Sequence, residues 1–400
     1  MKTIDFLSAE FNQNPYHFYR IMRNDLPLYF HETIQAYVLS RYEDIKFAFN
    51  NPAFTVKNYE FQSQPLHGRT ILEMDGQEHA RHRSIVAPSI RGKELQEKIM
   101  PIIERTCAEV LNDFEGKNKN DFATEFAAKF PIKVISAILG LEGENNEKFL
   151  VWYRSFVAFI SDMGQHEQVT EAAFKTKAEI EEYLIPIIQE RRQNPKDDIL
   201  SKMCTARIDG VQMTDQEIRG FISLLITAGA ESTDKILTLM FRNLLQNPKQ
   251  MQMLIEDKSL IEKAFLESLR FSPPTHSIMR ITSEEVEVSG GKIPANSQVI
   301  MWVGAAQRDE RQFEKSEEFD ILRTDLDWTK GFAPGANHIA FGGGRHFCVG
   351  SMLAKAEIDV AFRQIFEKFK NIRLVPNQNL QESGIFTRGI TNMEIEYDCN

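Results

Sequence analysis

The chain has 400 residues, 42% hydrophobic and 26% charged, an ordinary globular composition with ample material for a core. Its formal net charge of -10 is the wrong sign for a general nucleic-acid binder, because neutralising phosphate takes concentrated Lys and Arg. The four cysteines, Cys107, Cys204, Cys348 and Cys399, form no C-x-x-C pair and no disulfide-dense spacing, so a reduced cytoplasmic setting is expected rather than secretion.

The opening "MKTIDFLSAEFNQNPYHFYR" has neither a secretory apolar core nor a spanning run of about 20 apolar residues, so no membrane association is expected. "LYFHETIQAYVLS" then sets aromatic and β-branched residues around a polar turn, which predicts a small hairpin with Tyr37 and Leu39 on one face. From about residue 78 to residue 273 the pattern reads as almost entirely helical. Its longest segment opens with a capping box of Thr214 and Glu217 and closes at Asn247 and Pro248. At roughly 30 residues, or about 45 Å, that helix would cross a whole domain.

Residues 284–305 read as short strands around a Gly290–Gly291 turn. A last helix follows Cys348, with Ile358, Phe362, Ile365 and Phe369 at helical spacing, and residues 372–398 return to short strands and turns. No repeat, low-complexity tract or long linker divides the chain, so residues 1–400 are expected to form one domain, mainly α with small β-sheets.

"FGGGRHFCVG", residues 341–350, places one cysteine among glycines just ahead of a helix. Glycine lets backbone approach a bulky partner, and a helix start favours an anion, so the setting suits a thiolate. A phosphate loop would need a G-K-[ST] ending that is absent here. A cysteine phosphatase needs arginine six residues beyond its nucleophile, where this chain has Ala354. Zinc would want more than His346 beside Cys348. A buried structural cysteine in a Gly-rich turn is the bland alternative.

The spacing F-G-x-G-x-H-x-C-x-G resembles the haem-binding loop of the cytochrome P-450 family, and further resemblances follow in order along nearly the whole chain. They are "ESLR" with Glu267 and Arg270, "FSPP" followed by Arg280, "EHARHR" with His79 and Arg83, and the segment holding Arg308, Asp309, Phe319 and Asp320. The resemblance implies a single triangular-prism-like domain holding haem b between a long oxygen helix and the cysteine-loop helix. It makes Cys348 the proximal thiolate ligand of iron. Phe341 would pack beside haem and sulfur, and Gly344 and Gly350 would permit the close backbone path. His79, Arg83, Arg280 and His346 would face the propionates. Glu267, Arg270 and the Arg308–Asp320 segment would be structural.

The middle of the long helix reads "AGAEST", and Gly there costs about 1 kcal/mol relative to Ala, so something must need the space. In the resembled family Ala228 and Gly229 would form the groove where O2 is activated. Glu231 and Ser232 would be the acid and alcohol that deliver protons. Thr is usual where Ser232 stands, and Thr233 is the alternative hydroxyl.

The resemblance further implies a monooxygenase that hydroxylates or O-demethylates a small organic molecule. No flavin or iron-sulfur segment is visible, so electrons would come from NAD(P)H through a separate ferredoxin or flavodoxin and its reductase, with Arg345 and Lys355 as docking cations. Lys57, Asn58, Gln62, His67 and His276, in regions that shape the pocket in this family, would favour a substrate with polar groups.

"NPYHFYRIMR", "SRYEDI", "CTARIDGVQMTDQEI" and "ESGIFTRG" are similar to the bacterial branch that oxidises the cyclic dipeptide cyclo-dileucine, although that branch carries Pro at the position of Ser232. O-demethylation of methylated sugars or methoxylated compounds and hydroxylation of terpenoids or fatty acids are the alternatives within the family. A haem-based gas sensor is the alternative outside enzymes, and Glu231 with Ser232 argues against it, because a mere binder has no use for a proton relay.

Overall fold

The computed structural model describes residues 4–143, 146–162 and 164–399. The predicted hairpin is present: Leu28–His31 pairs antiparallel with Ala36–Leu39, Tyr29 opposite Val38. It is the edge of a five-stranded sheet that continues through Gln298–Met301, Ile278–Thr282 and Phe54–Thr55. Tyr37 is half-buried and Leu39 fully buried, and Val38 on the opposite face is buried too, so both faces are covered. One face receives an aromatic cluster in which Trp302 meets Phe6, Phe11 and Tyr19 at centroid distances of 5.0, 5.3 and 5.3 Å. That packing ties the N-terminal segment to the sheet, each such side chain contributing roughly 1.5–3 kcal/mol on burial.

The long helix runs Asp215–Gln246, 32 residues. Both halves of its capping box are made: Glu217 N donates to Thr214 Oγ1 at 3.2 Å, and Thr214 N donates to Glu217 Oε2 at 2.6 Å. It packs against Lys129–Ile138, Asn146–Ser161, Glu167–Gln193 and Ile261–Phe271. Two glycines set how closely. A Cβ on Gly220 would lie 2.1 Å from the carbonyl oxygen of His67, and one on Gly229 would meet Ile135 at 3.3 Å. Gly229 therefore serves helix packing and, with Ala228, also lines an internal cavity.

The helical reading of residues 78–273 needs two corrections. Lys119–Asp121 is a strand, pairing with Glu394–Cys399. Arg207–Ile208 and Val211–Gln212 form a hairpin whose turn residues Asp209 and Gly210 have φ of 53° and 81°. That is the Asp-Gly signal of a two-residue turn, read past in a stretch dominated by helical spacing.

The last helix, Ser351–Lys368, holds Ile358, Phe362 and Ile365 in the core, but Phe369 is extended and opens the strand Phe369–Leu374 against Glu394–Cys399. The turn joining Val286–Val288 to Gly291–Ile293 is Ser289–Gly290, one residue earlier than expected, with Gly291 pairing with Val288, while Val303–Ala306, read as strand end, is helical. Among the described residues no helix is long and apolar enough to cross a membrane.

Glu267 and Arg270 lie on one turn of Ile261–Phe271, and both are wholly inaccessible to solvent. Arg270 donates twice to the Glu267 carboxylate, Nε at 2.7 Å and NH2 at 2.8 Å. It also donates to the carbonyls of Gln307, Ser316 and Glu318, while Glu267 takes the Asp320 N–H at 2.9 Å and faces Arg323 at 2.9 Å. Arg308 stacks over Tyr16 and Phe271, and Asp309 caps Tyr42 N at 2.9 Å. Phe319 is 8% exposed and packs on Phe271. A closed knot of charge and backbone thus fixes the chain that leads into the cysteine loop.

Candidate functional site

One internal cavity gathers nearly every residue singled out in the sequence. The long helix supplies Leu224, Leu225, Ala228, Gly229, Ser232 and Thr233; the cysteine loop opposite supplies Phe341, His346, Cys348 and Gly350; His79, Arg83 and Arg280 close one side. Glu231 is not among its lining residues, and Gly344 sits just outside, against the backbone of Phe49.

Loop geometry places the sulfur. Cys348 N donates to the carbonyl of Phe341 at 2.9 Å, and the Phe341 ring packs between Phe332, Phe347 and His338. Gly344 has φ of 59°, and a Cβ there would lie 2.3 Å from the Phe49 carbonyl oxygen, so only glycine fits. A Cβ on Gly350 would sit 3.9 Å from the Cys348 sulfur.

The Cys348 side chain is accessible only in the sense that it opens on this cavity, and protein surrounds it beyond. Burial pushes its thiol up, against the Gly350 and Ser351 N–H groups and Arg83, which favour the thiolate. The helix start alone therefore does not ionise it, and a coordinated cation would.

Around the opposite rim the charges are unanswered. Arg280 is 5% exposed, donates only to its neighbour's carbonyl, Met279 O, at 2.7 Å, and stacks near Phe49 and Tyr59. Neither it nor Arg83 makes an ion pair among the described residues. The rings of His79 and His346 stand 4.3 Å apart, and His346 meets Asp75 at 3.3 Å. Burial, reinforced by His346 and Arg83, lowers His79 to about 4, and burial with Arg280 lowers His346, so charge on either ring is disfavoured.

A cavity with a sulfur on one wall, an aromatic beside it and two guanidiniums without carboxylate partners on the rim suits a planar group that carries a metal and two carboxylates. The residues present therefore fit haem: Cys348 for the iron, Arg83, Arg280, His79 and His346 for the carboxylates.

The hydroxyl and acid positions divide. Ser232 Oγ donates back to Ala228 O at 3.4 Å, the bond a mid-helix serine makes to the preceding turn. Thr233 Oγ1 donates to Gly229 O at 3.3 Å and stands near the carboxyl of Glu357, which lines the cavity from the cysteine-loop helix. Glu231 accepts a hydrogen bond from Thr387 instead, with Lys235 nearby, and burial raises its carboxyl. Sequence reasoning missed Glu357 and Thr387. Glu357 stands in register with Leu353, Val360 and Ala361, so a carboxylate inside a buried helical stripe was the available signal.

The polar residues expected around a substrate are otherwise engaged. Asn58 bonds Gln62, and Gln62 bonds the Met279 sulfur; His67 bonds Ser223 of the long helix at 2.9 Å; His276 is buried against Tyr19. None lines this cavity, whose remaining wall is Tyr59, Ile71, Leu72, Leu224, Leu225, Thr275 and Ile278. Gln62 and Met279 instead border a separate outer cavity with Phe61, Phe159, Phe174 and Phe386. Lys355 is ion-paired with Glu262 at 2.8 Å, which leaves Arg345 as the exposed cation of the loop.

The family model for cytochrome P450 matches residues 10–395. Pulcherriminic acid synthase of Bacillus subtilis (strain 168) is 34% identical over 400 residues, covering 100% of this chain and 98% of its own. CYP109E1 from Bacillus megaterium, crystallised in complex with corticosterone, matches the structure with a TM-score of 0.84 at 28% identity, over 97% of this chain and 99% of that one. P450BioI, crystallised in complex with hexadec-9Z-enoic acid ligated acyl carrier protein, matches with a TM-score of 0.88 at 25% identity, over 98% of this chain and 100% of that one.

Proposed function

We propose, from the premise that this chain belongs to the cytochrome P450 family, that it is a haem-thiolate monooxygenase acting on a small molecule of largely aliphatic surface. The observation that carries the reading is the convergence of Cys348 and the unpaired guanidiniums of Arg83 and Arg280 on one cavity beneath the long helix. When bound, haem supplies the activation of O2 and the oxidation of an unreactive C–H bond.

The chain's own residues do the rest. Cys348 would give the iron a thiolate, whose charge the nearby Gly350 and Ser351 N–H groups would temper. Arg83 and Arg280 would neutralise the propionates, with His79 and His346 as further donors. Ile71, Leu72, Leu224, Leu225 and Ile278 orient the substrate by shape and exclude water, and Thr275 and Tyr59 offer the polar contacts on that wall. On the hydroxyl-bearing turn, Thr233 at the cavity wall is the residue best placed to hand on protons, since Ser232 donates back to Ala228 O and Glu231 is bonded to Thr387.

Electrons reach the site from NAD(P)H through a ferredoxin or flavodoxin and its reductase, in a reduced cytoplasm, with Arg345 at the docking face. The apolar wall with few polar contacts, together with the likeness to pulcherriminic acid synthase, makes a cyclic dipeptide with aliphatic side chains the first substrate to try.

Purified protein, reduced and treated with carbon monoxide, should show the red-shifted Soret band of thiolate-ligated haem, and Cys348→Ser should abolish it. NADPH oxidation with a surrogate ferredoxin and reductase should then yield an oxygenated product from cyclo-dileucine or a related cyclic dipeptide. A wild-type protein lacking that band would overturn the reading.

A further inference from the structure

We propose that Glu231 is a positioning residue in this chain: through Thr387 it fixes the turn at residues 383–389, and with it the Pro274–Thr275 wall of the cavity, so that it governs how a guest is held and not how protons arrive. The proposal rests on the monooxygenase reading above. Thr387 Oγ1 donates to Glu231 Oε1, and among the described residues this is the hydrogen bond that ties residues 383–389 to the long helix. One turn further along that helix, a Cβ on Gly389 would lie 2.1 Å from Lys235 Cδ, so the missing side chain lets the turn rest on the lysine stem. Residues four apart share a helix face, and the two contacts therefore lay the turn along one side of Asp215–Gln246.

The same turn backs the cavity wall. Thr387 pairs with Thr275 in an antiparallel bridge, Arg388 N donates to Pro274 O at 2.8 Å, and His276 N donates to Phe386 O at 2.8 Å. Pro274 and Thr275 line the cavity with Cys348, while Phe386 borders the outer one. A separate anchor holds the turn to the rest of the molecule, since Arg388 donates to Asn12 O at 2.8 Å and to Glu382 O at 2.7 Å. The turn thus has its shape without Glu231. What Glu231 adds is its distance from the long helix, and so the width of the cavity between that helix and Thr275.

The placement of Glu231 fits this role better than proton supply. It is not among the residues lining the cavity, and its oxygen is already engaged by Thr387. The bond asks residue 231 for an acceptor oxygen and for no titrating proton. Gln supplies that oxygen and Ala does not, whereas a proton donor is lost in both.

The test uses the haem-loaded protein, with the carbonyl Soret band as the measure of intact sites. Amide hydrogen exchange reads the turn, and titration with phenylimidazole, an azole that ligates haem iron whatever the natural substrate, reads the wall. Glu231→Ala and Thr387→Val should speed exchange at His276 and Arg388 about tenfold and weaken phenylimidazole binding about fivefold. Glu231→Gln should match wild type in both. With surrogate ferredoxin and reductase, and cyclo-dileucine as probe, NADPH oxidation in Glu231→Gln should stay within about twofold of wild type with the same solvent isotope effect. A Glu231→Gln protein slowed about tenfold with a larger isotope effect would return Glu231 to proton delivery and overturn the proposal. Unchanged exchange and affinity in the Ala and Val variants also overturn it, as does loss of haem in Glu231→Ala with Thr387→Val like wild type. Each of these leaves the monooxygenase reading intact, while a wild-type protein without the thiolate band sinks both.

Discussion

Two parts of this molecule hold buried charge, and they hold it in opposite ways. Around Glu267 and Arg270 every charge is answered: carboxylate against two guanidiniums, guanidinium against three carbonyls. Around the cavity the charges are left open: Arg83 and Arg280 without carboxylates, Glu357 without a cation. Buried ionic groups cost several kcal/mol unless paired, so a region that closes its pairs is built for stability and one that leaves them open is built for a ligand or a reaction.

Breaking the closed region should do the most damage. Glu267→Ala leaves the buried Arg270 without a carboxylate and Arg323 with only Asp325, and should cost about 3–5 kcal/mol, read as a collapse of the urea midpoint together with loss of haem incorporation. Normal haem content with impaired turnover alone would erase the contrast.

Opening groups behave in the reverse sense. Glu357 keeps its proton when folded and releases it when unfolded, so the unfolded chain binds fewer protons and native stability falls as pH rises above the ordinary glutamate pKa of about 4.3, by about 1.4 kcal/mol per pH unit until the folded-state pKa is reached. Glu357→Gln should remove that slope, so the variant gains on wild type in denaturant melts from acidic to neutral pH. Parallel profiles would mean the carboxyl is already paired.

Arg280→Met should weaken haem retention about tenfold, the loss of one charge-assisted contact, while raising the apoprotein's unfolding free energy by about 1 kcal/mol. Competition for haem by apomyoglobin reads the first, calorimetry of apoprotein the second. A fall in both would move Arg280 into the structural class. Ser232→Ala should have the smallest effect, at most about a twofold loss of product per NADPH, because its hydroxyl is turned back to Ala228 O.

The sequence disclosed most of what local chemistry writes. The capping box at Thr214, the cysteine loop and the Glu267–Arg270 pair are short-range patterns, and each stands where its spacing put it. What it concealed depends on partners far along the chain. Gly229 lines the cavity as its place beside Ala228 suggested, but its approach to Ile135 could not be read from the sequence, nor could the bond of Glu231 to Thr387. Asn58, His67 and His276 looked available to a substrate; they bond Gln62, Ser223 and Tyr19 and do not line the cavity, although Asn58 Oδ1 and His276 Nε2 are buried without a hydrogen-bond partner. Glu357, between the outward-paired Lys355 and Asp359, passed for one more surface charge on an amphipathic helix.

The two glycine seats on the long helix have a mechanical consequence. With Gly220 close against the His67 carbonyl and Gly229 beside Ile135, that helix has little room for larger side chains at these two points. Adjustment of the chamber to a new guest falls more readily on the opposing wall, where Tyr59 belongs to a helix of only four residues and Ile278 to a short strand. Diversification of this scaffold, in nature or in a directed library, should accordingly accumulate at Tyr59, Leu72, Thr275 and Ile278, while the rail across from them stays fixed.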